Sequence, residues 1–155
     1  MGTYQTVRQV IESKLKTNWE MVTWQDTDAV EWESVDVNWT SENASTTIPI
    51  AWDNVAYTPI TKQAFLRILI EDVLSKQISI ESTPCTRRIG LIHIMIMVPK
   101  NSGMATAYVY ADRLSTIFRN LNESNVRCQS PRLRNVGPVD QWHQLSLLVP
   151  FYIND

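Results

Sequence analysis

Residues 87–99, RRIGLIHIMIMVP, constrain the fold more than any other stretch of the sequence. The apolar run inside it, from Ile89 to Val98, is about half of the ~20 residues that a membrane-spanning helix needs. A turn signal, Lys100-Asn101-Ser102-Gly103, follows it directly. A short run with apolar residues at both odd and even positions predicts a central β-strand that is covered on both sides.

Two segments have the three- and four-residue apolar spacing of amphipathic helices. The first covers residues 3–18, and its predicted core-facing stripe is Tyr4, Val7, Ile11, Leu15 and Trp19. The second covers residues 104–120, and its predicted stripe is Tyr108, Ala111, Leu114, Phe118 and Leu121. Because this second helix follows the apolar strand after a short turn, we expect it to pack on one face of that strand.

Shorter strands are predicted on both sides of this unit. Residues 48–59 are extended, residues 64–73 alternate as a half-buried strand does, and residues 77–81 form a short strand or its continuation. Residues 126–133 form a weaker strand that Pro131 interrupts, which favours an edge position.

The chain closes with a turn and a strand. Residues 135–138, NVGP, have turn chemistry, and residues 141–153 alternate as the last strand. The order of elements predicts an α+β fold, in which two helices pack on a mostly antiparallel sheet. The length of 155 residues predicts one domain over residues 1–155.

Residues 20–47 are predicted to form an acidic, tryptophan-rich, hairpin-like excursion from this domain. Between residues 17 and 61 there are eight acidic residues and no Lys or Arg, while the rest has 14 basic and 8 acidic residues, a net charge of +6. Two interpretations stay open, a solvated acidic loop and a charged contact between copies or stacked rings. The interface interpretation rests on Asp26, Asp28, Glu31, Trp32 and Glu33.

A search for reactive chemistry finds little. His93 lies mid-strand, where we expect a packed histidine bonded to a neighbour, and His143 is expected at a surface or interface. Cys85 and Cys128 lack the spacing of zinc ligands and are interpreted as free thiols in a reducing cytoplasm. The four glycines are isolated, so no phosphate-binding loop is present. We therefore predict no catalytic, metal or cofactor residues, and a protein that is not an enzyme.

One basic cluster remains, formed by Arg127, Arg132 and Arg134. Arginines in contact with solvent or with another subunit are the favoured interpretation, and contact with phosphates is the alternative. The first 16 residues also lack the apolar region of a secretion signal, so we expect the cytoplasm as the compartment.

Four blocks, taken in order, resemble the phage tail-terminator-like family. They are the helix ending near Leu15, the segment AWDNVAYTP with the strand FLRILI, the strand–turn–helix unit over residues 87–118, and the closing strand LSLLVPFYI. The likeness is one of pattern and order, and it covers residues 3–18 and 48–153. Residues 20–47 look longer than the usual connection in the family and have no counterpart among these blocks.

The resemblance implies a structural protein of the virion tail and neck. It implies a hexameric ring that caps the head-proximal end of the tail tube, ends tube polymerisation and offers a docking surface to neck proteins. The implied partners are further copies of the chain, the tail tube protein, a neck or head-completion protein, and a sheath protein in a contractile tail. DNA only passes through the lumen, and no membrane takes part. The alternatives are another connector, tail-completion or neck ring subunit, a small ligand- or nucleic-acid-binding module, and an enzyme with an unrecognised site.

Overall fold

The structure is a computed structural model that describes residues 3–20, 48–60 and 62–155. Apart from the backbone of Glu20, the predicted excursion over residues 20–47 lies outside the described residues. The described helices are α1 (Thr3–Glu20) and α2 (Ala105–Phe118). The described strands are β1 (Ile50–Ala51), β2 (Phe65–Gln77), β3 (Thr86–Pro99), β4 (Asn122–Glu123), β5 (Val126–Cys128), β6 (Arg132–Val139) and β7 (Trp142–Asn154).

The described strands form one sheet of seven strands in the order β1-β2-β3-β7-β5-β4, and β6 pairs with β7 on the same side as β5. Among the described strands, only the short β1–β2 pair is parallel. The long β2–β3–β7 centre and the pairs made by β4, β5 and β6 are antiparallel. The predicted α+β fold is therefore confirmed.

The hydrophobic core lies between one face of the sheet and the two helices. The isoleucines at alternate positions of β3, Ile92, Ile94 and Ile96, are fully buried there. The helices and β7 supply the facing side chains, including Ile11, Leu15, Leu114, Phe118, Leu145 and Leu147. Each such residue contributes ~1.5–3 kcal/mol when it leaves water.

The prediction that β3 is covered on both sides is wrong for the described residues. Both helices pack on the face of the isoleucines, while Leu91, His93, Met95 and Met97 on the other face are only half-buried. One end of that face is covered, because Tyr57 packs on Phe65 and Phe65 packs edge-to-face on Trp142. The apolar residues at odd positions of β3 therefore belong to a surface that neither α1 nor α2 covers.

Three predicted details of the elements are wrong for local reasons. Tyr4 is 64% exposed, because its ring lies over the guanidinium of Arg88 at 4.5 Å instead of entering the core. In α2 the buried stripe contains Tyr110 and not Tyr108, which is exposed. The strand predicted over residues 77–81 ends as part of β2 at Gln77, and Ile80 is fully exposed in the loop beyond it.

The predicted turn at residues 135–138 is also wrong, since these residues belong to β6. The pairing of β6 with β7 shifts register between Asn135 and Gly137, and Gly137 has a φ of +102°. The glycine and proline therefore mark a β-bulge, and the chain reverses later, at Asp140 and Gln141. The predicted interruption at Pro131 is confirmed, because it separates β5 from β6 along the edge of β7.

Candidate interaction surface

The cavities of the described residues offer little reactive chemistry. A cleft of ≈ 170 Å³ between α1 and β2 is lined by Val7, Ile68, Ile70 and Trp52, together with charged side chains at its rim. At this rim Arg8 Nε donates to Glu12 Oε1 at 2.6 Å, and this hydrogen bond and ion pair raise the pKa of Arg8. Within residues 3–20, 48–60 and 62–155, no three His, Cys, Asp or Glu side chains cluster as metal ligands do.

The observed side-chain partners of the two histidines are a carboxylate and an amide, and neither partner is a serine or cysteine nucleophile. His93 Nε2 lies 3.2 Å from Glu71 Oε2, which confirms the prediction of a packed histidine bonded to a neighbour. His143 Nε2 lies 3.0 Å from the side-chain oxygen of Asn135 on β6. Both contacts join neighbouring strands of the sheet, so they are structural contacts.

The cysteines are free thiols in separate environments. Cys128 is buried on β5, and desolvation raises the pKa of its thiol to about 12. Cys85 is half-buried and its thiol contacts the backbone oxygen of Asp155 at 3.3 Å. A thiol with a pKa this high is protonated at neutral pH, so Cys128 is a core residue and a poor nucleophile.

The surface that does stand out is the side of the sheet that neither helix covers, and we call it the open face. The open face includes Arg67, Leu69, Leu91, His93, Met95, Arg127, Arg132, Arg134, Leu148 and Tyr152. Side chains directly opposite one another on paired strands share a face and lie ~4.5–5.5 Å apart. The register of the sheet therefore decides which of them are neighbours.

Two rows of the open face run across the sheet and end in arginine. In the first row Arg67 pairs with Met95, Met95 with Ser146, and Ser146 with Arg134. This row places arginine at both ends of a short apolar and small-residue centre.

The second row is more apolar. Leu69 pairs with His93, His93 with Leu148, and Leu148 with Arg132. Leu69 is exposed and Leu148 is half-buried. Arg132 on the edge strand β6 pairs with Leu148. A partner that binds along this row therefore contacts leucine and arginine side chains together.

The structure brings Arg127, Arg132 and Arg134 to the same side of β7, on the strands β5 and β6. Arg127 on β5 pairs with Tyr152, so it lies on the open face with the other two, and all three are exposed. The other predicted interface residues, Asp26, Asp28, Glu31, Trp32 and Glu33, lie outside the described residues. The arginine half of the predicted site is thus a defined surface, and the acidic half is defined by sequence alone.

The sequence matches a known protein family. The model of a family described as phage tail terminator protein matches residues 25–151. The chain belongs to the phage tail terminator family. Membership indicates a structural protein of the bacteriophage tail. The matched span includes residues 25–47, which the block-by-block resemblance left without a counterpart, and it begins after α1.

The structural comparison supports the fold. One solved structure matches with a TM-score of 0.52 at 14% identity, over 94% of this chain and 94% of that chain. At this identity the likeness concerns the fold alone. No curated protein matches the sequence. Within the described residues, no helix has the length and apolar character needed to cross a membrane.

Sequence reasoning missed two arginines of this tail terminator surface. Arg67 is exposed on β2, and Arg87 lies over the ring of Tyr152 at 5.1 Å and donates to the side chain of Asn154. The signal for Arg67 was the alternation in β2, where Leu66 and Ile68 point to the core. No local signal connects Arg67 to Arg134, since only the registers of three strand pairs, which join four strands, make them members of one row.

Proposed function

We propose that this protein forms a closed ring, a hexamer, at the head-proximal end of the tail tube. There it ends tube polymerisation and gives neck proteins a docking surface. The observation that carries the proposal is the open face, where apolar and arginine side chains lie together without cover from either helix, in a member of a tail terminator family. Assembly of this kind needs matching surfaces and no catalytic group.

The physical logic of a ring follows from identical subunits. A contact between two different patches of the same chain repeats from copy to copy, and it closes when the rotation per subunit divides a full turn. Such a ring has two unlike faces. One face matches the last ring of the tube, and the other disfavours a further tube subunit, so growth ends there.

The expected partners follow from this position. They are other copies of the chain, the tail tube protein, a neck or head-completion protein and, in a contractile tail, the sheath protein. DNA passes through the lumen of the ring.

The test is the mass of the assembly and its effect on tube growth. Native mass measurement and negative-stain imaging over a range of concentrations are expected to show closed six-fold rings of about six times the 17.8 kDa subunit. When fewer copies of this protein than of the tube subunit are added to purified tube subunits, tube growth is expected to stop. A protein that remains monomeric both alone and at tube ends, and leaves tube length unchanged, contradicts the proposal.

Two other outcomes identify the alternatives. Rings that bind neck protein but leave tube growth unchanged indicate another connector or neck ring subunit. The second candidate is nucleic-acid binding, which the edge of Arg127, Arg132 and Arg134 favours. It predicts an affinity for duplex DNA that falls steeply as salt is raised.

A further inference from the structure

We propose that residues 21–47 of one copy bind the open face of the next copy in the ring. Their carboxylates would pair with Arg127, Arg132 and Arg134, and their tryptophans would cover the apolar rows beside them. This inference rests on the proposed ring and names the contact that closes it.

The open face has two kinds of chemistry side by side. The three exposed arginines lie on β5 and β6, the strands that pair with β7 on the side away from β3, and their planar guanidinium groups favour two-point contacts with carboxylates. Next to them are Leu148 and Leu91, both half-buried, with the exposed Leu69 further along. A good partner therefore combines carboxylates with large apolar side chains.

Residues 21–47 have this combination. They contain no Lys or Arg, and their charged and tryptophan residues are Trp24, Asp26, Asp28, Glu31, Trp32, Glu33, Asp36, Trp39 and Glu42. Tryptophan is the residue type most enriched at the energetic centre of protein interfaces. The sequence thus supplies a counterpart for both the arginines and the leucines.

The ends of this segment are held together on the opposite side of the sheet. Trp19 Nε1 donates to the backbone oxygen of Ile48 at 3.2 Å, and both residues are buried. Ile48 leads directly into β1, the edge strand beside β2, whereas Arg132 and Arg134 lie on β6 at the other edge. The points where the acidic segment is attached and the arginines of β6 therefore lie toward opposite edges of the sheet.

The length of the segment allows it to reach another subunit. A segment of this length with adjacent ends extends at most about 43–45 Å from its attachment, at ~3.3 Å per residue each way. The path from β1 through β2, β3 and β7 to β6 crosses about 19 Å of sheet, at ~4.8 Å between neighbouring strands. A donor at one edge and an acceptor at the other make a head-to-tail contact, which is the type that closes into a ring.

A nucleic acid is the other partner that arginines suggest, and the surface fits it less well. The rows that end in Arg132 and Arg134 contain Leu148, Met95 and Leu69, for which a phosphate backbone has no counterpart. DNA binding at this face is therefore treated as an outcome that would overturn the inference.

Charge reversal in the full-length protein tests the contact. We expect Arg132→Glu with Arg134→Glu to raise the concentration at which rings half-assemble at least tenfold. The matched control is Lys100→Glu with Arg119→Glu, two exposed charges away from the open face, which should leave assembly within about threefold of the parent protein. Adding Glu31→Arg and Glu33→Arg to the first pair should restore assembly, and failure to restore it counts against the contact.

Cross-linking locates the partner and separates the two proposals. In Arg132→Lys a carbodiimide can join the new amine directly to a nearby carboxylate. Rings assembled from a mixture of ¹⁴N- and ¹⁵N-labelled copies distinguish links between copies from links within one copy. Mixed-isotope links from position 132 to acids between residues 26 and 36 support the inference. Rings without such links overturn this inference and leave the ring proposal standing, whereas the absence of rings with or without tube ends contradicts the ring itself.

Two remaining results also overturn the inference. Same-isotope links alone show that each copy covers its own open face. Salt-sensitive DNA binding that is lost in Arg132→Glu with Arg134→Glu, together with unchanged rings, assigns the face to nucleic acid.

Discussion

Gly90 and Phe151 face each other on β3 and β7, and the phenylalanine ring fills the space that a side chain at Gly90 would need. A Cβ at this position would lie 2.6 Å from Cε1 of Phe151 and 2.7 Å from the backbone oxygen of Glu71. Phe151 is fully buried against the core, so its ring has little room to move. The absence of a side chain at Gly90 is therefore a packing requirement at the centre of the sheet.

Gly90→Ala is expected to destabilise the subunit by ~1–3 kcal/mol, as overpacking of a core does. Denaturant unfolding of the monomer measures the change. Phe151→Leu removes the part of the clash that the phenylalanine ring makes, while the contact with the backbone oxygen of Glu71 remains. The double variant Gly90→Ala with Phe151→Leu should therefore lose less stability than the sum of the two single losses. If the two losses of stability simply add, the phenylalanine side chain of Phe151 is not what a side chain at position 90 collides with.

Trp19→Phe tests the link that closes the ends of residues 20–47. The substitution keeps an aromatic ring beside Tyr110 but removes the donor to the buried oxygen of Ile48. Leaving that oxygen without its partner should cost ~1–3 kcal/mol. Trp52→Phe is the control, because Trp52 is half-buried and should change the free energy of unfolding by less.

The two cysteines should differ in reactivity. Because desolvation raises the pKa of Cys128 to about 12, its thiol stays protonated at pH 8, and a thiol reagent should modify Cys85 first. Cys85→Ser should remove the fast phase of the reaction. A fast phase that persists in Cys85→Ser would contradict the assignment.

Cys128 should also make stability depend on pH at the alkaline end. Its folded pKa is raised from an ordinary value of 9.0, so the unfolded chain loses this proton first. The contribution is fully present below about pH 9 and is lost as the pH rises toward 12, at up to ~1.4 kcal/mol per pH unit. Cys128→Ala should lack this part of the slope in denaturant unfolding measured from pH 8 to pH 10.

Substitutions of two adjacent leucines on β7 should affect folding and assembly differently. Leu147 is 1% exposed and faces the helices, whereas Leu148 is half-buried on the open face. Leu147→Asp should unfold the subunit, since a buried unpaired charge costs a large part of a typical stability of ~5–15 kcal/mol. Leu148→Asp should keep the circular dichroism spectrum of the folded subunit and weaken ring formation. Normal rings in Leu148→Asp would argue against the open face as an interface.

Much of the local structure could be predicted from the sequence, because local structure depends on neighbours a few positions apart. The four-residue spacing of Val7, Ile11 and Leu15 identified α1 and its buried stripe. A short run with apolar residues at both odd and even positions identified β3, and alternation identified β7. Pro131 marked the point where β5 and β6 separate. From this order of elements the α+β fold followed. The expectation of a structural protein of the phage tail came from the resemblance of four sequence blocks to the tail-terminator-like family.

The tertiary structure alone decided what these elements present to a partner. Gly137 and Pro138 look like a turn until pairing with β7 makes them part of a bulged strand. The apolar residues on both faces of β3 predict cover on both sides, yet both helices pack on one. Arg67 joins the row of Arg134 only through the registers of β2, β3, β7 and β6. Periodicity is a property of adjacent residues, whereas register is set by the packing of residues far apart in the chain, so only the folded sheet reveals the open face.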